Sequence, residues 1–301
     1  MTTKQFTISQ CQDSHSINFN AMASPCEILV QSTDIGLANK LANEICTEVW
    51  RIEDKYNRYD NNSVCSKINE KAGHRVAIDE ETFLLLNFAE QCYQLSEGLF
   101  DISSGCLRKV WTFDCTNNIP SEAEVNQVLK SVGWRKIQFD RQFITLAKNM
   151  EIDFGGIGKE YAVDRSILLA KQITNVPVLV NLGGDLAVTE SRHNNMPWQV
   201  AIEHPDIERA DKTTADMIVS LHSGALATSG DSRRYLKKDG QHYGHVLNAK
   251  TGWPISHAPR SITVVAPQCI QAGILATMAL LQGKQAEQFL ADQDVKYWSR
   301  R

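Results

Sequence analysis

The sequence predicts an α+β protein, and three observations carry that reading. Helical periodicity dominates the first half of the chain, short β-rich runs dominate after residue 177, and no steady strand–helix alternation joins them. The glycine-rich turn that a doubly wound dinucleotide sheet would carry in a regular βαβ unit lies instead at 153–158, mid-chain. The 301 residues, 43% hydrophobic and 22% charged, give an ordinary balance with ample surface to bury.

A formal net charge of -4, with no long block of one sign, leaves no electrostatic footprint for nucleic acid. The longest mostly apolar stretch, 272–281, is too short to span a bilayer, so no membrane insertion is expected. Met1–Gln12 lacks the apolar core of a signal peptide. The 8 cysteines form no CxxC pair and no closely spaced Cys–His set, so reduced thiols in a cytoplasmic protein are expected.

Residues 1–16 read as a flexible N-terminal arm, and 17–301 as a single domain. Ile17–Ser32 reads as extended. From Asp34, a helix-start residue, Ala38, Leu41, Ala42, Ile45, Val49 and Ile52 form an apolar stripe at helical spacing. Thr82–Leu95 has a similar character. Ser121 and Glu124 form a capping-box pattern, and Gly133 reads as the end of that helix. Lys136–Leu146 reads as two strands around Asp140-Arg141. A helix is predicted from about Lys159 to Ile173, followed by short strands at 178–180, 198–202, 218–221, 243–247 and 262–265. Helices are predicted near 270–281 and 284–292.

Four segments carry residues suited to a phosphorylated ligand. In Asp153–Asp164, Gly155, Gly156 and Gly158 remove Cβ atoms where the chain enters a helix, so main-chain N–H groups can approach a phosphate there. The plainer account is a tight, closely packed turn. In Asn181–Asp185, Gly183 and Gly184 permit positive φ and leave Asp185 at a strand end; the plainer account is a hairpin with a solvated Asp. The stretch from Ala227–Asp231 to His245–Pro254 supplies Thr228, Ser229, Thr251, Asp231 and His245. Hydroxyls beside glycines suit pyrophosphate contacts, and His245 is a candidate general base or phosphate donor. A lone His is more often structural, and His222, His242 and His257 compete for the role. In Ala272–Thr277, Thr277 can offer a hydroxyl to a metal, although a Thr in a buried helix usually bonds a preceding carbonyl. Tyr56 and Tyr59, with Arg58 between them, can stack on a flat ring.

In this order the segments resemble the ApbE family of FAD:protein FMN transferases, from about Phe19 to Trp298. Phe19–Met22, followed by Ser24, resembles the family's opening strand with its FAD-contacting Met. Asn57–Asp60 resembles its S-R-Y-D segment, and Ser96–Asp101 its S-x-G-x-F-D element. Asp153–Asp164 resembles D-L-G-G-I-A-K-G-Y-A-V-D, Asn181–Asp185 resembles N-L-G-G-D, Ala227–Asp231 the T-S-G-D turn, and His245–Pro254 resembles H-I-x-D-P-x-T-G-x-P. The resemblance implies a T-fold-related mixed sheet with flanking helices and two closely packed lobes, with FAD between them. It implies transfer of FMN from FAD to a Thr or Ser hydroxyl of a partner flavoprotein, with release of AMP and help from Mg²⁺. It implies FAD contacts from Met22, Tyr59, Phe100, Asp101, Gly155, Tyr161, Asp185 and Leu247, proton movement at His245, and metal ligation by the Gly158 carbonyl and Thr277. Many members look like exported lipoproteins; this chain's acceptor is expected in, or facing, the cytoplasm.

The departures bear on activity. The family typically places an Asp one helical turn before the Thr, and this chain has Gly273 there, removing the anionic side chain from the expected ligands. Glu160 stands where Gly is usual, Asn248 where Asp is, and Ala249 where Pro is. Glu160 or Asp185 can supply the charge from another direction. Restoring the acid with Gly273→Asp is expected to strengthen Mg²⁺ binding. Three functions stay open: the transferase, a non-catalytic FAD-binding carrier, sensor or assembly factor, and an FAD pyrophosphatase.

Overall fold

Within the stretch expected as a flexible arm over 1–16, Phe6–Cys11 forms the edge strand of a sheet. In the computed structural model, which describes residues 4–114, 117–203, 217–231, 235–238 and 241–301, β1 (Phe6–Cys11) pairs antiparallel with β2 (Ser14–Ala21). Phe6 and Ile8 lean on the core while the residues between them face out, a period too short to stand out in the sequence. Met22 and Ala23, with φ of 52° and 56°, turn the chain into β3 (Ser24–Val30).

Asp34 then caps α1 (Ile35–Tyr56) by accepting from the Gly36 and Leu37 amides, and the whole predicted apolar stripe is buried. α2 (Val64–Glu70), β4 (Arg75–Ala77) and α3 (Glu80–Leu95) follow, then a 3₁₀ turn over Ile102–Lys109. α4 (Glu122–Leu129) begins with the predicted capping box but closes at Lys130. Gly133, expected as its end, lies beyond it with φ 142° and opens another 3₁₀ turn. β5 (Gln138–Phe139) and β6 (Phe143–Thr145) form a small sheet with β4.

α5 (Gly158–Ile173) leads to β7 (Val178–Leu182), β8 (Asp185–Val188), β9 (Trp198–Ile202), β10 (Met217–Leu221) and β11 (Gly224–Gly230). β12 (Tyr235–Lys238), β13 (Gln241–Gly244), β14 (Ser261–Ala266), α6 (Cys269–Leu281), α7 (Ala286–Asp292) and β15 (Lys296–Arg300) complete the chain. The strand expected over 243–247 stops at Gly244, and Leu247 makes an isolated bridge to Pro254.

The main sheet has 8 strands in the order β1-β2-β3-β7-β8-β11-β14-β15. A mixed sheet was the implied arrangement; every pairing between these strands is antiparallel. Because Cys26 faces Leu182 and Val30 faces Val178, the chain between β3 and β7 is an excursion that returns to the neighbouring strand. One sheet face, with Ile28, Val180, Ala225 and Val264, meets the apolar sides of α1, α5 and α6. Leu179, Leu186, Val188 and Leu226 point the other way, against Trp198, Val200 and Val219 of the β9–β10 hairpin. Burial on both faces is why Val178–Val180 of β7 reads as an apolar run. A third cluster joins Leu107, Trp111 and Val125 to Leu236 and Ala249, tying the excursion to β12 and to the segment after β13. Among the described residues, no helix is long and apolar enough to cross a membrane.

Ion pairs fasten α1 to α3. Arg51 and Lys55 both reach Glu81, at 2.7 and 2.5 Å, and Tyr161 of α5 donates its hydroxyl to Glu81 at 2.7 Å. Burial pushes the Glu81 carboxyl up, but these three donors outweigh it and hold it at about 2. A carboxylate depressed on folding contributes stability above its unfolded value, and that contribution is lost as pH falls through the folded value. Glu81→Gln should therefore lower stability near neutrality and flatten its decline between about pH 5 and pH 2, where the ionisation is lost. Urea unfolding at stepped pH checks this; an unchanged pH slope would remove Glu81 from the acid response.

Candidate active site

The start of α5 is built from its own loop. The Asp153 carboxylate accepts from the Gly155 amide at 2.9 Å and is ion-paired with Arg58, whose guanidinium also donates to the Tyr59 hydroxyl at 2.9 Å. The Ile157 and Gly158 amides both donate to the Phe154 carbonyl, at 3.0 and 2.7 Å. This corrects the expectation of a cradle formed by the amides over 155–158: those of Gly155, Ile157 and Gly158 are committed within the turn. No side chain caps α5 at Ile157, so the positive end of the helix still faces this corner. Gly156 lies close to the buried Phe100 ring, from which an added Cβ would stand 3.2 Å, a tight contact. Asp101 accepts from the Ser103 and Trp134 amides, each at 2.8 Å, and thereby fixes the loop behind Phe100.

Next to this corner, four elements meet. Lys159 of α5 pairs with Asp185 of β8 at 3.2 Å, and Asp185 accepts from the Thr228 amide of β11 at 3.2 Å. The Ser229 hydroxyl is 2.7 Å from that of Thr277 on α6. Thr277 thus engages a hydroxyl on the neighbouring strand, where a bond to its own helix was the plainer expectation. Gly183, with φ 65°, is held against Ser24; an added Cβ would come within 2.5 Å of the Ser24 Cβ. The turn after Met22 is packed against the turn before Asp185 in this way. Met22 is half-buried, and its amide donates to Glu53 at 2.6 Å.

Glu160 answers the question posed by Gly273. A Cβ built at Gly273 would stand 2.5 Å from Glu160 Oε1, 2.6 Å from its Cγ and 2.8 Å from its Cδ. The Glu160 side chain therefore fills the space in front of Gly273, on the α6 face that carries Thr277 one turn later. Glu160 is 8% exposed, and its Oε2 is buried without a hydrogen-bond partner among the described residues. Burial, then the nearby Asp185, push its carboxyl up to about 8, against the opposing charge of Lys159. One turn further along α5, Asp164 accepts from the Cys269 and Ile270 amides at 2.8 and 3.0 Å and so caps α6. An Asp at 273 would force the Glu160 side chain to move, so the gain in Mg²⁺ binding expected of Gly273→Asp would come with a displaced Glu160.

The remaining sequence-predicted residues spread around this junction. Tyr161 points to Glu81 and the α1–α3 network instead of toward Asp185. Tyr59 is 75% exposed, with the Arg58 guanidinium 5.0 Å from its ring centre. His245 meets the Phe113 ring edge-on at 6.4 Å, and Leu247 packs in the third cluster with Trp253. Asp231, ion-paired with Arg260 at 2.7 Å, packs against Gly244, linking the end of β11 to the strand that leads into His245. Asn248 accepts from the Lys250 and Thr251 amides at 2.8 and 3.3 Å, a turn-holding role that its Asp counterpart would also fill. Among the described residues, no group of 3 or more His, Cys, Asp and Glu is placed to hold a metal ion, so a cation here would need hydroxyl or main-chain oxygens as well. The Lys159–Asp185 pair and the Ser229–Thr277 contact escape sequence reading because both join distant segments. Glu160–Asp164 and Gly273–Thr277 are each spaced one helical turn apart, a signal that could have set the two helices face to face.

An antiparallel sheet backed by helices, with a polar junction where α5, β8, β11 and α6 meet, defines a class of fold already represented among solved structures. The ApbE protein of Thermotoga maritima superposes with a TM-score of 0.84 at 28% identity, covering 98% of this chain and 94% of that one. The apo form of the flavinyl transferase ApbE of Pseudomonas stutzeri shares the fold, with a TM-score of 0.82 at 24% identity, covering 99% of this chain and 92% of that one. The FAD:protein FMN transferase of Vibrio cholerae serotype O1 is 27% identical over 272 residues, spanning 87% of this chain and 79% of its own. The ApbE family model matches residues 22–298, and the chain belongs to that family.

The steric relation between the two helices predicts a measurable coupling. Gly273→Asp should destabilise the protein by about 1–3 kcal/mol through overpacking, and the same change made in a Glu160→Gly background should cost much less. A double-mutant cycle by urea unfolding decides it; additive effects would mean the two positions do not compete for one space.

Proposed function

We propose that this chain is an FAD:protein FMN transferase, which moves FMN from FAD to a Thr or Ser hydroxyl of a partner flavoprotein and releases AMP. The observation that carries the reading is the convergence of Lys159, Asp185, Ser229 and Thr277 beside the uncapped start of α5, within a fold whose curated relatives bear that name. The acceptor hydroxyl oxygen forms a bond to the FMN phosphorus while the bond from that phosphorus to the AMP oxygen breaks. The proton leaving the acceptor hydroxyl passes to His245 in this reading. The α5 N-terminus and Lys159 offset phosphate charge, and the Tyr59 ring, with Arg58 beside it, supports a flat ring system.

The residues present fit a hard divalent cation such as Mg²⁺. The Thr277 hydroxyl and the Gly158 carbonyl are oxygen donors of the kind it prefers, and Glu160, two residues after Gly158, carries a buried carboxyl oxygen with no hydrogen-bond partner among the described residues. When bound, the cation neutralises charge building on the pyrophosphate. A cytoplasmic setting belongs to the same proposal, supported by free, buried thiols such as Cys46, Cys65 and Cys92. Gly273 favours a second reading, a non-catalytic FAD-binding protein.

Incubation with FAD, Mg²⁺ and an acceptor flavoprotein domain, followed by intact-mass measurement, separates these. Gain of one FMN by the acceptor supports transfer, bound FAD with an unchanged acceptor supports the second reading, and FMN and AMP released to water indicate a pyrophosphatase. Within the transferase reading, Tyr59→Ala should raise the FAD Kd about tenfold, or 1.4 kcal/mol. An unaltered Kd by fluorescence titration would take Tyr59 out of the site.

A further inference from the structure

The two departures at 160 and 273 are the halves of one exchange. The resemblance implies Gly on α5 and an acid on α6; this chain has Glu160 on α5 and Gly273 on α6, and a Cβ at 273 would meet the Glu160 side chain as it stands within 2.8 Å. The acid that fills this space comes from the opposite helix yet ends on the same face of α6, one turn from Thr277. Its Oε2 is buried and partnerless among the described residues, a costly condition for a carboxylate that a bound ligand would relieve. Asp185 and Asp164 add negative charge around it, against Lys159. We infer that Glu160 is the carboxylate ligand of this chain's divalent-cation site, relocated from α6 to α5, with the Thr277 hydroxyl and the Gly158 carbonyl as companion donors. The inference rests on the transferase reading for its use of a cation alongside FAD, but it assigns a residue which that reading leaves out.

The alternative is that Glu160 is a neutral plug that only fills the gap, and metal affinity separates the two. Mg²⁺ is titrated by calorimetry into wild-type protein, Glu160→Gln, and the reciprocal double variant Glu160→Gly/Gly273→Asp, with and without saturating FAD. Circular dichroism melts confirm that each variant is folded. Glu160→Gln keeps the size of the side chain and should lose at least about tenfold in Mg²⁺ affinity, while binding FAD in the absence of metal as the wild type does. The double variant should recover most of that loss, a rescue that a space-filling role does not provide. Equal Mg²⁺ affinity in wild type and Glu160→Gln overturns the assignment, as does a folded double variant that binds FAD but not Mg²⁺. If Glu160→Gln fails to fold, the double variant decides alone. Wild-type protein that binds FAD and flavinylates an acceptor while Glu160→Gln retains full Mg²⁺ affinity leaves the transferase reading standing and removes only this assignment. Wild-type protein that binds no FAD overturns both.

Discussion

Asp185 is a carboxylate taken almost wholly out of water, and the centre of the molecule is arranged around keeping it partnered. Burial drives its carboxyl toward protonation, while Lys159 and the Thr228 amide oppose that drive. These partners come from α5 and β11, so Asp185 is satisfied only when β8 lies beside β11 and the first turn of α5 reaches the start of β8. The pairing of β3 with β7 sets the same geometry from the other side, by seating Ser24 against Gly183 just ahead of Asp185. A polar contact and a steric one thus locate the same corner independently.

From that corner the chemistry divides between two bodies of side chains. The sheet and α5 and α6 supply charge and hydroxyls. The cluster around Trp111 and Trp253 supplies a firm apolar bed for the segment carrying His245, and the Trp111 indole N–H closes it by donating to the Gly252 carbonyl at 2.8 Å. The excursion between β3 and β7 is what brings Trp111 there.

Much of this was legible in the residues, and the failures have physical reasons. The stripe in α1, the capping box of α4 and the glycine turn before α5 are local patterns, governed by helical spacing and cap chemistry, and each appears where the sequence puts it. β1 was hidden because a solvent-facing edge strand needs only Phe6 and Ile8 to hold it down. The open amides expected over 155–158 are largely taken up locally: those of Gly155, Ile157 and Gly158 donate within the turn, a commitment that the glycine pattern alone does not reveal. Tyr161 follows Glu160 on α5, and one helical step of rotation sends it to α1 and α3 while Glu160 faces α6. Glu160, Lys159 and Ser229 were present in the quoted segments, but their partners lie far along the chain, and only the crossing of α5 over α6 joins them.

The mutual exclusion at positions 160 and 273 also limits how such an arrangement can have arisen. Between a lineage with the acid on α6 and one with it on α5, single changes pass through one of two intermediates. Glycine on both helices leaves a gap with no anion in it, and acids on both crowd two negative groups together. The first route preserves the fold and forfeits the charge for a time; the second keeps charge available but strains the junction. Ancestral sequences reconstructed along this branch would record which of the two was taken.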